Sequence, residues 1–131
     1  KLADFGLVRQ FNKEYNNQFT VMVVTRWYRA PELLLGNHNY NELIDVWSMG
    51  CLIVEMLIGK PLFPGRSELE QIALIYGMFG VPNEESYPEA RYLKFFNESV
   101  RTYKQMQQSA ASSSSHTISQ FDKLNFKQFL Q

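Results

Sequence analysis

The residues that could do chemistry crowd into the first third of the chain. Asp4 sits in Lys1-Leu-Ala-Asp-Phe-Gly6, which reads as the end of a short strand running into a tight turn at Gly6. A carboxylate on such a turn can hold Mg²⁺ through oxygen. The plain alternative is a solvated aspartate on a surface turn. Further on, Thr25-Arg-Trp-Tyr-Arg-Ala-Pro-Glu32 is dense in aromatic and arginine side chains. His38 and His116 stand apart from any cysteine or carboxylate cluster at metal-ligand spacing, and no chemistry is assigned to them. The single cysteine, Cys51, lies inside an apolar run and reads as a small buried residue.

These residues need elements to hold them. Residues 7–24 have no sustained hydrophobic period, and Asn12, Asn16, Asn17 and Gln18 make them loop-like. Loops longer than about 12–15 residues are usually functional or disordered. Pro31 opens a single helical turn that Gly36 stops. The run 43–58 is apolar on every side of a 3.6-residue helix, which predicts a central buried helix. It is too short for a membrane span of about 20 residues and carries Asp45 and Glu55. If it is buried, Asp45, Ser48 and Glu55 must have partners. Gly59-Lys60-Pro61 stops it.

Ser67 can cap a second helix over 68–79, with Glu70 at the capping-box position. Beyond Tyr87 the pattern weakens. A polar helix is predicted over 99–108, then a serine-rich linker over 107–120 that includes Ser112 to Ser115. Phe121, Leu124, Phe126, Phe129 and Leu130 mark the start of a further helix. The fold class is mainly α.

Bulk properties narrow the function classes. The chain has 131 residues, 45% apolar and 15% aromatic, room for one domain or part of one. Thirteen basic and thirteen acidic residues cancel, so bulk charge points to no nucleic-acid or membrane partner. The chain opens in mid-fold without a signal peptide, which predicts a cytoplasmic or nuclear location and ends that are cuts.

Asp4-Phe5-Gly6 and Ala30-Pro31-Glu32, in this order and followed by Asp45-x-Trp47-Ser48-x-Gly50, are protein-kinase signatures. The chain resembles the C-terminal lobe of eukaryotic protein kinases. Thr25 to Glu32, Pro61-Leu-Phe-Pro-Gly65, Phe79-Gly-Val-Pro82 and Pro88 resemble the group of cyclin-dependent and mitogen-activated kinases. The match is close over residues 1 to about 90 and loose beyond. It implies an activation segment over 1–35, the central and following helices over 36–80, an insertion over 81–120, and a further helix from 121 to 131.

The resemblance also implies roles. Asp4 is the Mg²⁺ ligand beside bound ATP, with Phe5 a packing switch and Gly6 completing the turn. Thr20 matches the activating phosphothreonine, whose charge Arg9 helps capture; an unmodified loop threonine is the alternative. Met22 stands where the mitogen-activated subgroup has tyrosine, so the single-threonine, cyclin-dependent pattern fits better. Thr25 matches the residue touching the catalytic aspartate. Val24, with positive φ and held by Arg29, forms a platform favouring proline after the phospho-acceptor. A valine in that conformation costs about 1–3 kcal/mol. Asp45 matches a buried carboxylate holding the catalytic loop. Glu32 matches a carboxylate paired with an arginine outside this sequence, and Trp47 is structural.

The glycine-rich loop, the strand lysine, its helix glutamate and the His-Arg-Asp loop of kinases are not among these residues. The expectation is an inactive piece of a proline-directed Ser/Thr kinase. Its partners would be Ser/Thr-Pro substrates, a cyclin-like activating subunit and an upstream activating kinase. A pseudokinase or a helical interaction module would share the same residues.

Overall fold

The computed structural model describes residue 3, residues 5–8 and residues 25–112. Four α-helices follow in chain order: α1 Pro31–Leu34, α2 Leu43–Ile58, α3 Glu68–Phe79 and α4 Phe96–Ser112. Short 3₁₀ turns stand at Phe5–Leu7, Arg26–Tyr28 and Ala90–Tyr92. Among the described residues there is no strand. The proposed strand before Asp4, and the segment 121–131, lie outside the described residues. No helix of the described residues is long and apolar enough to cross a membrane.

The core is built on α3. Ser67 caps it, its Oγ accepting from the Glu70 N–H at 3.1 Å. The reciprocal half of the box is displaced by one residue: the Glu70 carboxylate accepts from the Arg66 N–H at 2.8 Å. Between them these bonds fix the last turn of the loop as well as the first turn of the helix. Gln71, Ile72, Ala73, Ile75 and Tyr76 are buried on α3. Its main partner is α4, and α1 packs beside it. Tyr76 packs edge-on to Tyr103 of α4 at 5.9 Å, and its hydroxyl meets Ser99 at 3.1 Å. Leu34, Leu35, Leu62 and Phe63 complete the buried cluster.

The α4 helix is longer than the polar helix predicted over 99–108. Phe96, Val100 and Tyr103, at i, i+4 and i+7, pack against the core and start it early. At the other end, the Ser109 and Ser112 hydroxyls bond back to the carbonyls of Gln105 and Gln108. Residues 107–112 of the predicted linker are therefore helical. Its remainder lies outside the described residues.

The α2 helix occupies the predicted span and ends at Gly59, whose φ of 71° gives a left-handed cap. It is not, however, a buried centre. Cys51 is its one buried residue, with Trp47 and Val54 partly buried against the core. Ile44, Trp47, Ser48, Cys51, Val54, Glu55 and Ile58 recur at helical spacing and form the covered face. Leu43, Val46, Met49, Leu52, Ile53, Met56 and Leu57 are exposed. An all-round apolar helix needs cover on both sides, and the described residues supply it on one. Burial also pushes the Cys51 thiol up to about 11, so at neutral pH it is protonated and a poor nucleophile.

The turn before α3 is tied to the 3₁₀ turn Arg26–Tyr28 by a closed set of bonds. Trp27 Nε1 donates to the Gly65 carbonyl at 3.0 Å. The Gly65 N–H donates to Gln71 Oε1 at 2.9 Å. Gln71 Nε2 returns to the Trp27 carbonyl at 3.2 Å. Gln71 is 0% exposed, so its amide has no water to fall back on. A Cβ on Gly65 would lie 2.5 Å from Gln71 Oε1 and 2.6 Å from Gln71 Cα. Only glycine lets the two backbones approach this closely.

Two outcomes follow from this packing. The exposed α2 face withholds on the order of 10 kcal/mol of burial, as much as a whole domain's net stability. The isolated 131-residue chain should bind an apolar dye strongly and lack a sharp thermal transition; a cooperative melt without dye binding would contradict this. In the full-length protein, Gly65→Ala should lower unfolding stability by about 2 kcal/mol or more in denaturant titration. A loss below about 0.5 kcal/mol would mean the Gly65–Gln71 approach is not constrained as described.

Candidate functional site

The segment 25–32 lies across two helices, and the side chains of Arg26, Trp27, Tyr28 and Arg29 each bond outside it. Thr25, itself exposed, opens the turn through its backbone carbonyl, which accepts from the Tyr28 N–H at 3.3 Å. Arg26 reaches forward, donating to the Arg66 carbonyl at 2.6 Å. Trp27 is locked to Gly65 as above. Tyr28 turns the other way, onto α2. Its hydroxyl donates to Glu55 Oε2 at 2.8 Å, while its carbonyl accepts from the Ser48 hydroxyl at 2.8 Å. The hydrogen bond to Glu55 raises the Tyr28 phenol above its ordinary range, with burial adding to it. Tyr28 therefore stays a protonated donor.

Arg29 turns back to α3. It is 8% exposed, and its Nη1 donates to Glu68 Oε1 at 2.6 Å. A guanidinium this buried needs a counter-charge, and Glu68 supplies it from the first position of a helix, where the dipole favours a carboxylate. Ala30 is buried, and Pro31 then starts α1 with its fixed φ. Arg26, Trp27 and Arg29 thus bond to α3 and the turn before it, and Tyr28 bonds to α2. Bonds to both sides fix its backbone as a rail between the two helices.

The other proposed site residues divide into three sets. Asp4, Arg9, Thr20 and Val24 lie outside the described residues, so the Mg²⁺ ligand, the phosphate switch and the strained valine are not placed. Phe5 and Gly6 fall in the first 3₁₀ turn, closed by the Val8 N–H on the Phe5 carbonyl at 3.1 Å. Phe5 is 67% exposed, so no described residue packs it into a switch pocket. Glu32 is half-buried in the first turn of α1 and has no ion pair among the described residues.

Asp45 differs from expectation. It was expected to be buried with a partner, and it is exposed. With Met49, Leu52 and Met56 it falls on the uncovered side of α2, where water solvates it. Ser48 and Glu55, the other two polar residues flagged in that helix, do have partners, and both are met by Tyr28. Trp47 stacks on Phe63 at 6.1 Å and tilts against Phe79 at 5.7 Å, consistent with a packing role. Its buried Nε1 has no partner among the described residues.

Sequence reasoning passed over Glu68 and Gln71, read only as parts of a helix. Gln71 carried no signal, being a polar residue in a helix with an apolar face. Glu68 directly follows the cap Ser67, a place where a carboxylate is explained by the helix dipole alone. Among the described residues no group of three or more His, Cys, Asp or Glu could hold a metal ion. Nor do they include an element that would cradle nucleotide phosphates. What they build is the rail.

Comparison with known proteins bears on this rail. The protein kinase domain model matches residues 1–129. Cyclin-dependent kinase C-3 of Oryza sativa subsp. japonica is 52% identical over 96 residues, covering 73% of this chain and 29% of that protein. Human cyclin-dependent kinase 20 is 45% identical over 98 residues, covering 75% of this chain and 28% of that protein. A solved structure of the yeast RNA Pol II CTD kinase CTDK-1 complex superposes with a TM-score of 0.66 at 42% identity, covering 73% of this chain and 31% of its own. This chain therefore spans less than a third of the length of these relatives, and its helical architecture matches the C-terminal lobe of their fold. With a kinase model running over nearly all of it and cyclin-dependent kinases as its relatives, the chain belongs to the protein kinase family, on its cyclin-dependent-kinase-like branch.

Proposed function

We propose that this chain is the substrate-facing part of a proline-directed serine/threonine protein kinase. The observation that carries the reading is the rail 25–32, held between α2 and α3, with the arginine that supports proline recognition in related kinases already buried and charge-paired. A proline has no N–H to donate, so it suits a site whose backbone acceptor is already engaged. In this reading Arg29 engages the backbone at Val24 and turns that part of the rail into a platform for proline. Thr25 approaches the catalytic aspartate supplied by the rest of the domain.

ATP and Mg²⁺ supply the phosphoryl group and the charge neutralisation in such a domain. Asp4 is the residue of this chain proposed to hold the metal. Asp45 would gain its partner when the catalytic loop covers the outer face of α2, and the same cover would bury Leu43, Val46 and Met49. Thr20 is the proposed activating phosphosite, read by Arg9 together with arginines outside this chain. An activating cyclin-like subunit and an upstream kinase complete the assembly, in the cytoplasm or nucleus.

The test is phosphoryl transfer by the full-length protein, with its activating subunit, onto peptides carrying Ser-Pro or Ser-Ala. The expected result is transfer to serine and threonine, with Ser-Pro peptides preferred. The isolated 131-residue chain should give none. A full-length protein that binds partners without transferring phosphate would make it a pseudokinase, and transfer without preference for proline would remove the platform.

A further inference from the structure

We infer that Glu68 is a positioning residue for substrate selection, setting the orientation of Arg29 and through it the preference for proline after the phospho-acceptor. The inference rests on the proline-directed reading above and adds a residue that no kinase signature in the sequence includes. Arg29 is held on the α3 side by a charge-assisted bond at 2.6 Å. A guanidinium has donors in a rigid fork, so fixing Nη1 fixes the direction of all the others. Glu68 can impose that direction because its own backbone is immobilised. It follows the cap Ser67, whose Oγ accepts from the Glu70 N–H, and Glu70 in turn accepts from the Arg66 N–H.

The pair is asymmetric. Arg29 is 8% exposed and Glu68 is 41% exposed. Glu68 can be changed without opening a cavity, whereas the buried Arg29 would lose the carboxylate bonded to its Nη1. Removing the carboxylate should therefore release the guanidinium more than it unfolds the domain. The direct consequence is a platform that no longer distinguishes proline from residues with an N–H.

The experiment uses the full-length kinase with its activating subunit. kcat/KM is measured on paired Ser-Pro and Ser-Ala peptides for the wild type, Glu68→Gln and Glu68→Ala, with thermal melts of each. The wild type should prefer the proline peptide, and Glu68→Ala should lower the ratio of the two kcat/KM values roughly tenfold. Glu68→Gln, which keeps the acceptor but not the charge, should fall between. Should Glu68→Ala fail to fold, the Gln variant carries the comparison. A wild type without preference would overturn the proline-directed reading itself. A wild type with preference and variants with the same ratio would overturn the role of Glu68 alone.

Discussion

A single buried amide holds the functional part of this chain together. Gln71 offers one donor and one acceptor to two backbones that would otherwise have no reason to meet, the Trp27 carbonyl and the Gly65 N–H. Neither group can be satisfied by water at a fully buried side chain, so the arrangement holds as a unit or is lost as one. Trp27 Nε1 on the Gly65 carbonyl closes the set. Because Gln71 sits on the first turns of α3, the position of that helix and the position of the rail are one variable. Arg26 on Arg66 and Arg29 on Glu68 reinforce the same seam with charge.

The opposite side of the rail rests on α2 through a different kind of contact. Tyr28 satisfies both Ser48 and Glu55, so these two polar residues of an apolar helix are the docking points for the rail. This gives α2 two faces with separate purposes. One carries Trp47, Cys51 and Val54 toward the core and Tyr28. The other carries aliphatic side chains and Asp45, and in the proposed kinase it meets the catalytic machinery. Among the described residues nothing covers that second face.

Much of this was legible in the sequence, because the helices obey local rules. The span of α2, the Ser67 cap, the start at Pro31 and the stop at Gly59 all rest on side chains acting on their own neighbourhood. The end of α4 was hidden, since serine and glutamine carry no periodicity, and the Ser109 and Ser112 hydroxyls bond within the helix instead of breaking it. The exposure of α2 was hidden for another reason: periodicity reports what a helix can bury, not what is present to bury it. The family signatures led to Arg29, but its partner Glu68, and the Gln71 that holds Trp27, could come only from coordinates. Glu68 lies 39 residues from Arg29 and Gln71 lies 44 residues from Trp27, and no local pattern links them.

The claim on which the rest depends is that rail and helix move as one body, and a double-mutant cycle tests it most directly. Trp27→Phe removes the side-chain bond to the Gly65 carbonyl, and Gln71→Leu removes the bonds to the Gly65 N–H and the Trp27 carbonyl, so the two changes meet at that glycine and at the Trp27 backbone. Denaturant unfolding of the full kinase domain carrying each change and both should give a coupling energy on the order of 1 kcal/mol. Losses that simply add, to within about 0.3 kcal/mol, would contradict the account.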